Sequence, residues 1–333
     1  MSNTNRLGYV DSWRFWAVLI VIIGHLFQVK NSFSPINAAI GVYIFFFISG
    51  FVVSKSSLIE LSESGSLSVV GFYTRRVFRI IPPLLIYLSF CFILGQFEII
   101  EFSFQNFISA SMYLCNLNLV DCGWYGGHTW SLAFEEQFYL LFPLIFIWVH
   151  TSHRPRIWIL ISALAVVFSP FFYDINWVGK SGFILIYGLF LTGCVFAKYE
   201  QSCMNMANPT LIFSLGFVMT FLLGQIFNNN VRYYKIIYII SIPIMIIASS
   251  SPHFLFKNFF ESQILKYIGG ISYSIYLWQQ FFTGFMKNYS ITINIACILF
   301  MFLWCMLLFK FIENPLIKKG KLISKSLKYG KII

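Results

Sequence analysis

A helix needs roughly 20 mostly apolar residues to cross a bilayer, and this chain offers ten stretches near that length. They cover residues 10–28, 37–53, 80–95, 131–149, 157–172, 182–197, 210–227, 234–249, 267–285 and 291–311. The longest gap between them, 96–130, leaves no room for a separate soluble domain. A soluble domain carries about 25% charged residues to cover its surface. Here, over 333 residues, charged residues are 11% and hydrophobic ones 58%. Disorder, a coiled coil and a small disulfide scaffold are excluded on the same composition. The expected fold is all-α: a polytopic membrane protein of about ten transmembrane helices, without repeats. Residues 1–317 form the transmembrane domain and 318–333 a basic tail.

Orientation follows from Lys and Arg, which favour cytoplasmic loops. With both termini in the cytoplasm, 18 of the 23 basic residues lie inside and 5 outside. The outside five are Lys30, Lys180, Arg232, Lys235 and Lys287. An odd number of spans would put the lysine-rich tail outside. The net charge of +11 would suggest nucleic acid in a soluble protein. In this chain basic loops account for it, and no nucleic-acid partner is expected. The first apolar run contains His25, starts with Arg14 and lacks a small-x-small site, so it reads as a first span rather than a cleaved signal.

The seven cysteines form no metal-ligand pattern, and no metal is expected. Only Cys115 and Cys122 share an outside loop. An oxidising compartment permits a bridge there, and two free thiols are the other reading.

Ionisable groups inside a span cost about 2.5–3.5 kcal/mol or more, so each asks for a reason. Arg14 and His25 are eleven residues apart, about three helical turns, and share one face roughly 16 Å apart along the axis. A lone His on an apolar helix is most simply a packing residue, but an Arg on its face points to a titratable site above a basic mouth. The fourth span opens with Glu135, Glu136 and Gln137. A helix N-terminus favours one carboxylate but not two on different faces. Arg75, Arg76 and Arg79 cluster before Pro82 and Pro83, as an interfacial helix running into span three. They serve either as a juxtamembrane anchor or as a polyanion site. Ser49 and Gly50 interrupt span two, where Gly permits close packing. Residues 269–279 give span nine a polar and aromatic stripe that includes Tyr276. Glu313-Asn314-Pro315 reads as the stop of span ten, with Glu313 available for an ion pair.

Taken together these stretches resemble the membrane-bound acyltransferase-3 family. Its Asp–Arg–His pattern is matched by Asp11, Arg14 and His25. Its Gly-Val-x-x-Phe-Phe-x-x-Ser-Gly-Phe run is matched by 41–51. Its Phe-Tyr-x-Arg-Arg-x-x-Arg-Ile-x-Pro run is matched by 72–82. Its Trp-Ser-Leu-x-x-Glu-x-Gln-Phe-Tyr run is matched by 130–139, which places the family Glu on Glu135 and its Tyr on Tyr139. The Ser-Tyr-x-x-Tyr-Leu-Trp and Glu-x-Pro runs fall on 272–278 and 313–315. Many members have His after Tyr-Leu-Trp, where this chain has Gln279.

The resemblance implies transfer of an acyl group, usually acetyl, from cytoplasmic acetyl-CoA to a hydroxyl of a bacterial envelope polysaccharide or related glycoside. The implied location is the cytoplasmic (inner) membrane. Catalysis would fall to His25 with Glu135 orienting it. Arg14, Arg75, Arg76 and Arg79 would hold CoA phosphates, and Ser49, Glu136, Tyr139, Tyr276 and Glu313 would support substrate or structure. Partners are then membrane lipid, an acyl-CoA donor and a glycan acceptor; the oligomeric state is open. The chain length matches the stand-alone type without an extracellular hydrolase-like domain. A secondary transporter also needs buried His, Glu and Arg, but no matching pair of broken helices is visible. A glycosyltransferase on lipid-linked sugar would want acidic residues in 29–36, which has none. A polytopic acyltransferase of another fold would lack the arginine-rich run.

Overall fold

A computed structural model describes residues 7–29, 37–117, 120–151, 183–223, 236–286 and 290–329. Among the described residues all regular structure is helical. The helices are α1 (Gly8–Val29), α2 (Ala38–Ser64), α3 (Val69–Gln96), α4 (Phe104–Ser111), α5 (Gly123–Gly127), α6 (Trp130–Thr151) and α7 (Phe183–Met204). They continue as α8 (Pro209–Val218), α9 (Ile236–Ser249), α10 (Lys257–Phe260), α11 (Gln263–Gly270), α12 (Ser272–Phe285), α13 (Ile291–Leu308) and α14 (Asn314–Tyr329). They fall into two compact units, Met1–Ile59 with Trp148–Ser272, and Glu60–Ile147 with Tyr273–Ile333.

Among the described residues, five segments are long and apolar enough to cross a membrane: Gly8–Leu26, Ala38–Ser64, Val69–Gln96, Gly123–His150 and Thr292–Leu327. They correspond to the first, second, third, fourth and tenth expected spans. The seventh and eighth are represented by the shorter apolar helices Pro209–Leu222 and Ile237–Ser249. The sixth is α7. The fifth, 157–172, lies outside the described residues, as do Arg6, Arg154, Arg156, Lys331 and all five basic residues assigned to outside loops. The ninth is not one helix. It breaks at Ile271 between α11 and α12, after two glycines, the weakest helix formers apart from proline.

Close approach in the first unit is made by glycine. A Cβ on Gly50 would meet the Phe190 backbone, and one on Gly193 the backbone of Phe47 and Phe51. Helices α2 and α7 thus meet backbone to backbone, as small residues allow in membranes. Phe46 on Phe190 and Phe51 on Phe196, ring centroids 4.9 and 5.0 Å apart, fill the flanks. Gly269 of α11 presses on the Asp11 backbone of α1 in the same way.

In the second unit α3 is a single helix, so the arginine segment and the third span are continuous. Ser68 caps it by accepting from the Gly71 N–H at 3.1 Å. Pro82 and Pro83 lie inside it, and the Tyr273 hydroxyl donates to the Ile80 carbonyl at 2.9 Å in the turn before them. Val70, Val77, Ile81, Leu85 and Ile93 are apolar side chains exposed along it.

Pro315 does not stop the tenth span. A π-helical turn, Phe309–Glu313, joins α13 to α14, and helix continues to Tyr329. Proline is tolerated in the first turn of a helix, where its missing N–H has no partner to lose, and Pro315 is the second residue of α14. The basic tail is therefore mostly an ordered helix laid against α3. Gly320 packs on the Phe78 side chain, and Ser324 faces Gly71.

Candidate active site

In the first unit the site residues stand on α1. Asp11 is buried, and its carboxylate accepts from Arg14 Nη1 at 3.2 Å, one turn on. The N-terminal end of α1 is fixed by the residues flanking Asp11. Trp13 Nε1 donates to Ser249 Oγ at 2.7 Å, and the Ser12 hydroxyl donates to the Phe260 carbonyl. His25 is half-buried on the same helix. The eleven-residue spacing carries the Arg14 face about 16 Å along the axis to it. Ser49 is buried on α2 beside Gly50, whose carbonyl receives Cys194 Sγ at 3.5 Å.

Sequence reasoning missed a second buried charge in this unit. Glu200 of α7 accepts from Lys55 Nζ at 2.6 Å and from the Tyr9 hydroxyl at 2.8 Å. Lys55 had figured only as a topological charge. Its partner lies 145 residues away, and no local pattern announces it.

In the second unit the three arginines part company. Arg75 is held at both ends of its guanidinium: Nη2 reaches Glu60 Oε2 at 2.8 Å and Nη1 reaches Ser324 Oγ at 2.6 Å. Glu60 and Ser324 are themselves buried, and the other Glu60 oxygen accepts from the Ser68 N–H at 3.1 Å. Arg76 lies over the Tyr139 ring, 4.3 Å from its centroid, a cation–π geometry. Arg79 acts electrostatically on Glu313. Glu313 is buried at the π-helical turn and accepts from the Ser274 hydroxyl.

Tyr139 joins two of the sequence motifs. Its face holds Arg76, and its hydroxyl donates to Glu135 one turn earlier on α6. Glu136, on the adjoining face, is within electrostatic range of Arg76. Tyr276 shares a 2.6 Å hydrogen bond with Ser131 and donates to the His128 carbonyl at 3.1 Å. His128 is a buried second imidazole between the Tyr87 and Tyr276 rings. It lies two residues before the Trp130 motif rather than at the Gln279 position.

Cys115 and Cys122 form a disulfide. Tyr113 lies two residues before this bridge. Burial first, then the negative charges of Glu136 and Glu135, push the Tyr113 phenol above its ordinary range, so it stays protonated.

What the arrangement offers is a helix carrying Arg14 and a half-buried imidazole, and a second unit in which arginines, carboxylates and tyrosines pair in several polar clusters. The comparisons agree with that chemistry. The pattern of the acyltransferase domain matches residues 7–311. O-acetyltransferase OatA of Staphylococcus aureus (strain NCTC 8325 / PS 47) is 29% identical over 364 aligned positions, covering 96% of this chain and 58% of OatA. A second S. aureus protein, from strain COL and provisionally named an O-acetyltransferase, is 27% identical, with 93% of this chain and 57% of the relative covered. The chain thus spans less than two thirds of the length of these relatives. No solved structure matches it. With its motifs spread along nearly the whole matched region, the chain belongs to the acyltransferase-3 family.

Proposed function

We propose that this protein is a multi-pass O-acetyltransferase of the bacterial cytoplasmic membrane, moving acetyl from cytoplasmic acetyl-CoA to a hydroxyl of an envelope polysaccharide or related glycoside. The observation that carries the reading is the pairing of Arg14 with the buried carboxylate of Asp11 on the helix that bears His25. A fixed cation at the inner end of a membrane helix suits a phosphate-bearing donor, and an imidazole, which can both accept and donate a proton, suits proton transfer farther in. The family resemblance gives a phosphate-binding role to Arg14 in the first unit and to Arg75, Arg76 and Arg79 in the second, Arg75 being tied to Glu60 and Ser324. Ten spans with both termini inside fit the distribution of basic residues, and the Cys115–Cys122 bridge supports placing loop 97–122 in the oxidising outer compartment.

His25 removes the proton of the acceptor hydroxyl as its oxygen attacks the thioester carbonyl. The C–S bond breaks, and the thiolate of CoA leaves with the proton returned to it. In the two-step version His25 itself takes the acetyl group and passes it to the hydroxyl. Glu135, held by Tyr139, balances the charge. The test is mass spectrometry of surface glycans from cells with and without the gene: acetyl esters present only with it support the reading, and identical glycans overturn it.

A further inference from the structure

The outer loop before α6 is more than a connection. Between α4 and α5 the chain is irregular, yet Asn116 exchanges hydrogen bonds with Gln137 at 3.0 and 3.4 Å. Gln137 is seven residues into α6, about 10 Å below its start at 1.5 Å per residue. The loop therefore dips back into the unit beside a membrane helix. It is pinned there by the Cys115–Cys122 bridge, by Asn106 Nδ2 on the Asp121 carbonyl at 3.0 Å, and by the Gly123 N–H on Asp121 Oδ1 at 2.9 Å. Irregular backbone at membrane depth persists only where protein buries it or where it lines a watery cavity.

Tyr113 sits in this dipping segment with two unexplained features. Its φ is +56°, a left-handed backbone that a bulky aromatic side chain adopts only under constraint. Its hydroxyl is buried with no hydrogen-bond partner, a state that native structures rarely leave without a reason. Glu136 and Glu135 lie within electrostatic range of the phenol, and so does Tyr273. Two carboxyl groups and two neutral phenols are hydrogen-bond partners for hydroxyls rather than for the phosphates of an acyl-CoA. A neutral polyol fits them: its hydroxyls donate to carboxylates and exchange hydrogen bonds with a phenol.

We propose that Tyr113, with Glu136, forms a subsite for a hydroxyl of the neutral sugar acceptor, entered from the outer face. The proposal rests on the reading of this chain as an acyltransferase with a glycan acceptor, and it adds where that acceptor is gripped. The unpartnered hydroxyl and the constrained backbone are then features kept for ligand binding.

The experiment uses the full chain in lipid nanodiscs and, as probe, envelope glycan stripped of esters by mild base. Direct glycan binding is measured by calorimetry for the wild type and Tyr113→Phe, alongside KM for glycan and for acetyl-CoA. We expect Tyr113→Phe to weaken glycan binding and raise its KM roughly tenfold, the effect of one hydrogen bond. KM for acetyl-CoA should stay within about twofold. Because the hydroxyl has no partner inside the protein, the thermal midpoint of Tyr113→Phe should be no lower than that of the wild type. Unchanged glycan binding, a wild type that binds no glycan, or a lowered midpoint overturns the subsite. A wild type that binds glycan through Tyr113 but transfers no acetyl overturns the proposed function and leaves the subsite standing.

Discussion

Arg75 Nη1 donates to Ser324 Oγ at 2.6 Å, across 249 residues of sequence. With Nη2 on Glu60 at 2.8 Å, one guanidinium ties the end of α2, the start of α3 and the C-terminal helix together. Its fork geometry makes this possible; an ammonium has no fixed pair of donors at that spacing. The basic tail is thereby part of the folded second unit, beside the arginines assigned to the donor.

Arg75→Lys keeps the charge and loses the bridge. Glu60 and Ser324 are buried while Arg75 is about one-third exposed, so the expected loss is about 1–2 kcal/mol, below that of a fully buried pair. Thermal unfolding in nanodiscs should show a lowered midpoint, and Ser324→Ala a smaller drop. Wild-type midpoints in both variants would mean the bridge is not made in the folded protein.

The C-terminal helix has a face that cysteine labelling can read. Gly320 and Ser324 are buried while Lys318, Lys321 and Lys325 are exposed. Single cysteines should react quickly at the lysine positions and slowly at 320 and 324. A larger side chain at Gly320 meets Phe78, so Gly320→Leu should cost about 1–3 kcal/mol by overpacking. Uniform labelling from 318 to 325 would describe a loose tail instead.

Tyr139 holds Glu135 by its hydroxyl and Arg76 by its ring, and two substitutions separate these. Tyr139→Phe should lower kcat roughly ten- to hundredfold through loss of a charge-assisted hydrogen bond, with KM for acetyl-CoA unchanged. Tyr139→Leu should also raise that KM, because Arg76 loses its platform. Equal donor KM in both variants would remove Arg76 from the donor site.

Much of this was legible from local pattern. Helical periodicity put Arg14 and His25 on one face, Gly50 marked span two for close packing with an unnamed neighbour, and a shared outside loop made Cys115 and Cys122 candidates for a bridge. What stayed hidden depends on distant partners or on backbone geometry. Glu60 and Ser324 lie 15 and 249 residues from Arg75, Glu200 lies 145 residues from Lys55, and nothing in the Tyr113 neighbourhood announces a left-handed residue. Pro315 misled because a proline marks a helix start as readily as a stop, and the π-helical turn before it supplies the start.

The central claim is that His25 carries acetyl transfer. It is tested most directly with acetyl-CoA labelled in the acetyl group, given to membranes holding equal amounts of wild type and His25→Ala, with ester-stripped envelope glycan as acceptor. The wild type should move label to the glycan, and His25→Ala should do so at least about a hundredfold more slowly, the contribution of a positioned acid–base group. Transfer at the wild-type rate by His25→Ala would contradict the account.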